Sequence, residues 1–478
     1  MLYFPGSNQE THMAELEFFG AAGTVTGSMH LLHLPEGAYA LDCGLFQGRR
    51  EEARLRNSTF PVPPDQLRGV LLSHAHIDHS GNLPGLTKRR FRGPVYATPA
   101  TCDLVDVMLA DSAHIHEEDA RFWNEKRATR PSERIEPLYT VEDAKAVTPL
   151  LTRVDYKERF DFSPHGSATF LEAGHLLGSA ATLLTLRTPR PVRILYTGDL
   201  GRAGLPILRD PVDLPAVDYL ITDSTYADRR HTPSADMKQA LARIINATRA
   251  DGGKIIIPAF SVGRTQNVVY YLMQALAEKL IEPLPIVVDS PLSANCTAIF
   301  RKHPNCYSEE ARDFWWRNNY DLFGEGVVRY ITDVNQSKAL NDQKGPMVII
   351  ASQGMCEAGR VLHHLKNNIE NERNTVVIVG FMAQHTLGRR IVERREEVKI
   401  FGRMYRLLCR VETLSGFSAH ADSADYARMF ATLAPRLRGA FIVHGEGPQP
   451  AAMAEILKKA GCANVVIPQK GQRFSLET

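Results

Sequence analysis

The 478-residue sequence lacks any run near the roughly 18 consecutive apolar residues that a membrane-spanning helix needs. It also lacks a C-x-x-C pair. Its seven cysteines, Cys43, Cys102, Cys296, Cys306, Cys356, Cys409 and Cys462, are scattered and odd in number. Such spacing argues against a disulfide framework and a cysteine-built zinc site, and points to free, mostly buried thiols in a reducing cytoplasm. Charge of one sign is missing too: 56 Lys and Arg stand against 54 Asp and Glu, leaving a net charge of +2. That balance excludes a polybasic coat for nucleic acid, although local basic patches or a bound metal could still attract phosphate. Solenoid repeats, low-complexity stretches and a secretory signal peptide are absent as well. Residues 1–12 are polar and patternless, and are read as a cloning remnant outside the fold.

What remains is ordinary globular material. Hydrophobic residues make 44% and charged residues 23%, and the length suits two or three domains with sizeable cores. Residues 14–42 alternate apolar and polar positions around Gly-rich turns, which predicts an antiparallel meander with strands at 15–19, 29–34 and 38–41. A short buried strand is expected at 69–73, a helix at 99–127, and further strands at 168–186 and 193–196. After about residue 227 the texture changes. Residues 254–258, 285–289, 347–350 and 376–379 are short, unbroken apolar runs, each ahead of a helical stretch. Continuous apolar strands alternating with helices predict a parallel, doubly wound sheet over residues 228–412. Residues 413–478 add a strand at 441–443, a helix at 450–460 and a last strand near Val465.

The densest chemical signal is Ser73-His74-Ala75-His76-Ile77-Asp78-His79, directly after a buried strand. Zinc and similar metals take imidazole nitrogen and carboxylate oxygen. On an extended loop His74 and His76 can point the same way and hold one ion, while Asp78 and His79 turn towards a second. Two ions need more donors than one loop supplies. His175 lies in a Gly-flanked segment after a strand, Asp199 follows the strand at 193–196, and His444 follows the strand at 441–443. Elsewhere, Ser261-Val262-Gly263-Arg264 and Ser352-Gln353-Gly354 stand where a strand meets a helix. Helix N-termini present N–H groups to anions, so phosphate contacts are expected at Ser261, Arg264 and Ser352, helped by Arg389 and Arg390.

Together these motifs resemble the metallo-β-lactamase superfamily, which carries an H-x-H-x-D-H loop, a distant histidine, a bridging aspartate and a final histidine. Further motifs resemble its β-CASP branch: Ile221-Thr222-Asp223-Ser224-Thr225-Tyr226, then Ser415-Gly416-Phe417-Ser418-Ala419-His420-Ala421-Asp422, then His444. Residues 258–264, 351–355 and 386–390 look like that branch too. The resemblance runs over residues 14–475. It implies an α/β fold, a metallo-β-lactamase αββα sandwich with an inserted parallel-sheet, Rossmann-like β-CASP domain. The sandwich would occupy residues 13–227 and 413–478, and the insertion 228–412. One zinc ion would take His74, His76 and His175, a second Asp78, His79 and His444, with Asp199 bridging both and Asp42 orienting the ligands. Catalytic roles are implied for Asp78, for His420 as general acid, and for Asp223 as the carboxylate that holds it. Two departures bear on substrate. Gln353 stands where many members have serine, and Gln384-His385 where many have Glu-Gly or Gln-Gly; both segments, with His385, are expected to face the cleft between the domains.

The β-CASP branch contains RNA-processing nucleases. The resemblance therefore implies a zinc-dependent ribonuclease, in the first instance an endonuclease, with two Zn²⁺ per chain activating water and His420 protonating the leaving oxygen. Two alternatives stand beside it: a di-zinc phosphodiesterase or broader ester hydrolase of small molecules, and a non-catalytic RNA-binding subunit. Single-stranded RNA is the expected partner, a membrane is not, and a homodimer is left open.

Overall fold

A computed structural model describes residues 14–126, 134–231, 236–319 and 321–476; the reading of residues 1–12 lies outside them. Two seven-stranded sheets form the frame. The first has the order Gln472–Ser475, Glu15–Phe18, His30–Leu34, Gly37–Leu41, Gly69–Leu71, Val95–Ala97, Leu151–Arg153, antiparallel at its start and parallel beyond Gly37–Leu41. The second runs Val465–Val466, Gly439–Ile442, Tyr219–Thr222, Val192–Tyr196, Ala180–Leu186, Gly166–Glu172, Arg159–Ser163.

Side-chain alternation lets each sheet serve two cores. Leu32, Leu41 and Leu71 point into the layer between the sheets, against Leu184, Ile194, Ile221 and Phe441. Their neighbours Leu31, Ala40 and Val70 point outward into the core under helix Pro99–Lys126. On the far side, Leu195, Leu220 and Ala440 pack beneath helices Ser423–Phe430 and Gln449–Lys459. The layers are thus helix, sheet, sheet, helix.

Strands Tyr219–Thr222 and Gly439–Ile442 pair in parallel, with Thr222 opposite Ile442. The chain between them makes an excursion and builds a third sheet of six parallel strands: Val328–Ile331, Ile286–Asp289, Val348–Ala351, Ile255–Pro258, Thr375–Ile378, Arg410–Thr413. The four central strands of this sheet are buried at every residue, which is why they read as unbroken apolar runs. Helices Met237–Ala250 and Arg264–Ala277 pack together over it, and a separate core holds helices Arg360–Asn368 and Leu387–Val392.

The lobes share a core that includes Leu176, Ile207 and Phe417 from the sandwich and Met237 and Tyr271 from the insertion. Helix Pro99–Lys126 packs on helix Pro291–Lys302. Across the same seam His303 Nε2 lies 2.8 Å from Asp103 Oδ2, and Leu208 bridges Tyr307.

The expected α/β architecture is the one found. Locally there are differences. The strand expected over 168–186 is two strands broken at 173–179. Strands Leu151–Arg153, Arg159–Ser163, Val328–Ile331 and Gln472–Ser475 and the hairpin Glu397–Ile400/Arg403–Arg406 were not anticipated. Most of these carry exposed, charged residues on short edge segments, so they show little hydrophobic pattern. All seven cysteines are buried and unpaired. Among the described residues no helix is long and apolar enough to cross a membrane.

Candidate metal centre

The site grows from strand ends. After Gly69–Leu71 the chain runs extended to His76, then turns into the short helix Ile77–Ser80, which carries Asp78 and His79. Neighbouring backbone pins this turn: Ser28 N–H donates to the Asp78 carbonyl and Cys43 N–H to that of His79. His175 sits in the break between Gly166–Glu172 and Ala180–Leu186, where Ser179 Oγ accepts from the N–H groups of His175 and Leu176 at 3.0 and 3.1 Å. Gly178 makes that turn possible: its φ is +81°, and a Cβ there would lie 2.6 Å from the Thr101 backbone nitrogen. Asp199 follows Val192–Tyr196. His444 follows Gly439–Ile442 in the left-handed region, with φ of 51°, and its N–H donates to Ala21 O at 2.8 Å.

Seven polar side chains converge there. His76 Nδ1 is 3.0 Å from His74 Nε2 and 3.2 Å from His175 Nε2. Asp199 Oδ2 lies 3.7 Å from His74 Nε2 and 3.5 Å from His175 Nε2. In a second group His79 Nε2 is 3.1 Å from His444 Nε2, which is 3.5 Å from Asp78 Oδ2. The other oxygen of Asp199, Oδ1, lies 3.3 Å from His79 Nε2 and 3.5 Å from His444 Nδ1. Asp199 thus turns one oxygen to each group. Zinc–nitrogen bonds of roughly 2.0–2.1 Å in a tetrahedral array put donor atoms about 3.3 Å apart, and the spacings within each group match that. Asp199 Oδ1, which faces the second group, is buried without a hydrogen-bond partner. The donor set therefore fits divalent metal ions.

Electrostatics within the protein differ between the two groups: at His79 and His444 burial is outweighed by the Asp199 charge, which raises both imidazoles, so a metal ion there displaces a proton. Burial pushes the His74 and His175 imidazoles well below their ordinary range, so their lone pairs are free. Burial opposes charge on Asp199 as well, but His444 and His79 outweigh it and hold the carboxylate ionised.

Of the residues that support the ligands, the family resemblance pointed to Asp42, but nothing in the sequence singled out Ser73, Tyr196 or Thr225 for that role. Asp42, fully buried, accepts from Ser73 N–H at 2.7 Å, Ser73 Oγ at 2.8 Å and Tyr196 OH at 2.5 Å, and meets His79 Nδ1 at 2.6 Å. Ser73 Oγ also touches His74 Nδ1 at 3.0 Å. The second nitrogens of His74 and His79 are thus both fixed, directly or through Ser73, by one carboxylate. Thr225 Oγ1 does the same for His444 Nδ1 at 3.1 Å. Ser73 opens the histidine motif and Tyr196 ends the strand before Asp199, which is the only hint the sequence gives of either.

His420 stands beside the cluster, its ring centroid 4.4 Å from that of His175. Its Nδ1 is 3.9 Å from Asp199 Oδ2 and 4.0 Å from Asp223 Oδ2, too far for a hydrogen bond to either. Asp223 is instead held by Tyr426 OH at 2.6 Å. Burial and then the Asp199 charge push Asp223 up to about 7, while burial pulls His420 down to about 4. The side chains of His420 and Asp78 are 21% and 24% exposed, against 1–4% for His74, His79, His175, Asp199 and His444. The cluster therefore opens past His420 and Asp78.

The anticipated substrate contacts are less uniform. Ser261 and Arg264 lie at the start of helix Arg264–Ala277, close to the seam: Gly263 approaches Leu176, and the Arg264 guanidinium lies 6.0 Å from the Phe417 ring. Arg264 Nη1 donates to Val379 O at 2.5 Å. Ser352 does not lead directly into a helix in sequence, but its carbonyl accepts the N–H of Val361, in the first turn of helix Arg360–Asn368, at 3.2 Å. It bonds Ser290 Oγ at 2.6 Å, and helix Arg360–Asn368 begins eight residues on. Arg389 is paired with Glu393 at 2.8 Å. His385 is exposed, with φ of 68°.

Comparison with known proteins bears on all of this. Residues 22–250 match the model of the metallo-beta-lactamase superfamily, residues 265–391 that of the Beta-Casp domain, and residues 404–468 that of the Zn-dependent metallo-hydrolase RNA specificity domain. A ribonuclease of Thermus thermophilus is 34% identical over 443 residues, which cover 93% of this chain and 96% of that protein. The transcription termination factor FttA of Methanocaldococcus jannaschii is 27% identical over 461 residues, covering 95% of this chain and 70% of that protein. In fold alone, a crystal structure of a protein of unknown function from Enterococcus faecalis superposes with a TM-score of 0.54 at 15% identity, covering 97% of this chain and all of that one. With the sandwich, the inserted parallel sheet and the histidine–aspartate cluster in place, the chain belongs to the β-CASP branch of the metallo-β-lactamase superfamily and is a metal-dependent hydrolase.

Proposed function

We propose that the chain is a ribonuclease that hydrolyses internal phosphodiester bonds of single-stranded RNA and binds two zinc ions. His74, His76 and His175 would hold one ion, Asp78, His79 and His444 the other, with Asp199 between them. The nitrogen-rich donor set favours zinc over harder cations. RNA as substrate is supported by the relative named a ribonuclease and by the domain description that matches residues 404–468. The insertion, residues 228–412, would form the wall of the cleft that faces the metal ligands.

Bound ions supply positive charge for the phosphate oxygens and an acidified water. The protein's own groups do the rest. Asp42 presets the donors through His79 and Ser73, so little reorganisation is needed. The scissile phosphate enters past Asp78 and His420, the exposed edge of the cluster. His420 gives its proton to the leaving oxygen; a bound phosphate beside the ring favours the charged form that burial disfavours. Asp223 acts on His420 through its field, not by a direct hydrogen bond. Arg264, which burial draws down only to about 10 and which stays charged, lies next to Tyr226, whose ring packs 5.5 Å from that of His420. It would steer the strand with Ser261.

The observation that carries this reading is the cluster of seven donors at a seam between two lobes, divided by Asp199 into two sets. The test is turnover of a single-stranded RNA with both ends blocked, run beside bis-nitrophenyl phosphate. Internal cuts in the RNA, abolished by chelation, are expected. RNA turnover far below that of the small ester would replace the reading with a small-molecule phosphodiesterase, and binding without any turnover would replace it with a non-catalytic subunit.

A further inference from the structure

Beside the metal ligands, on the sandwich lobe, lies a cavity of about 270 Å³ that none of the residues named so far explains. One wall is the loop 20–27, whose Ala21 carbonyl receives the His444 N–H and which runs on to Ser28, whose N–H donates to the Asp78 carbonyl. The cavity thus shares its backbone with the Asp78, His79 and His444 side of the cluster. The loop is glycine-rich because the wall is thin: a Cβ at Gly27 would meet Phe46 at 3.0 Å.

Two aromatic rings and two cations line the space. The Arg56 guanidinium lies 4.2 Å from the Phe46 centroid, and Lys470 Nζ 4.5 Å from that of Phe19. Burial and then the nearby Arg56 charge lower the Lys470 ammonium from its ordinary value, so the two cations feel each other. Arg56 has a partly exposed partner one helical turn back, Glu52, at 2.7 Å. Among the described residues Lys470 makes no ion pair; its company is the ring and the other cation. Like charges brought together over aromatic faces, beside bare glycine backbone, suit a planar ring that stacks and an anion that sits between the cations. A nucleotide has both parts.

We propose that this cavity seats one nucleotide of the substrate strand outside the scissile phosphate, its base against the Phe46–Arg56 stack and its phosphate on Lys470. The proposal rests on the RNA reading above. Because none of the lining residues is a metal ligand or touches His420, the two claims separate by experiment. Anisotropy of a fluorescein-labelled single-stranded RNA is measured on the zinc-loaded His420→Ala protein, then with Lys470→Ala or Arg56→Ala added. As a control for lost charge, Arg249→Ala is added instead, at the N-terminal edge of the inserted sheet. Each pocket variant should weaken binding roughly tenfold, and Lys470→Ala should also lower the slope of log Kd against log salt by about 0.7, the value for one phosphate contact on a single strand. Melting temperatures should stay with the parent. If Lys470→Ala and Arg56→Ala bind like the Arg249→Ala control, the pocket assignment is wrong while the nuclease reading stands. If the parent itself fails to bind RNA, both fall. If the parent binds normally but the unmutated enzyme cuts nothing, only the nuclease reading falls.

Discussion

The inserted sheet and the sandwich each bury a cluster of histidine and aspartate, and the two are built oppositely. In the inserted sheet, Asp289 ends a central strand. Its Oδ2 receives His364 Nε2 at 2.6 Å and Ser337 Oγ at 2.5 Å, and its Oδ1 receives Arg360 Nη1 at 2.6 Å. The carboxylate is saturated by donors, and Arg360 goes on to cap the carbonyls of Ile331 and Thr332. In the sandwich, nitrogen faces nitrogen at 3.0–3.2 Å and Asp199 Oδ1 has no hydrogen-bond donor. In the first cluster the carboxylate is fully satisfied, and only His364 Nδ1, turned away from it, lacks a hydrogen-bond partner. The second gathers lone pairs that only a cation can satisfy. Burial and residue type are alike in the two; the direction in which the donors point decides between a structural network and a ligand set.

Substitutions can break that comparison. His76→Ala should cause the largest loss: at least one metal ion and with it RNA turnover, to below detection, with elemental analysis as the check. His420→Ala should retain the metal and lower kcat by roughly 10²–10⁴-fold, the range for a general acid. In the saturated cluster Asp289→Asn should cost about 3–5 kcal/mol in denaturant unfolding, the usual penalty for removing one partner of a buried ion pair. It should leave metal content unchanged. If it lost metal as His76→Ala does, the distinction between the clusters would fail. Tyr196→Phe removes one donor from Asp42 and should weaken metal binding by roughly 10–100-fold without abolishing it, measured by competition with a chelator.

The smallest effect concerns pH. Burial raises the Asp289 carboxyl, but hydrogen bonds from His364, Ser337 and Arg360 outweigh it and hold it below the ordinary 3.8. A folded-state value below the unfolded one gives stability that is present above the unfolded value and is lost as pH falls through the folded one. The melting temperature should therefore drop below about pH 4, and Asp289→Asn should flatten that part of the profile.

The parts of the molecule legible in the sequence were those with strong local pattern. The histidine run, the meander at 14–42 and the unbroken strands of the inserted sheet carried their structure in short windows. Tyr196, Ser73 and Thr225 did not, because each acts on a ligand brought close only by the fold: Tyr196 reaches Asp42 from 154 residues away. The resemblance implied that Asp223 holds His420, yet a gap of 4.0 Å separates the pair and Asp223 is bonded by the Tyr426 hydroxyl instead. Ser352 was read as standing where a strand meets a helix, but six residues intervene before Gly359 caps the next helix. The edge strands stayed invisible because their residues face water and need no apolar pattern.

The most direct measurement is the zinc content of the purified full chain, with His76→Ala measured beside it. About two zinc ions in the unmutated protein, and fewer in the variant, is the predicted result. Equal content in both, or a chain that folds and cuts RNA after complete metal removal, would contradict the assignment of the seven side chains.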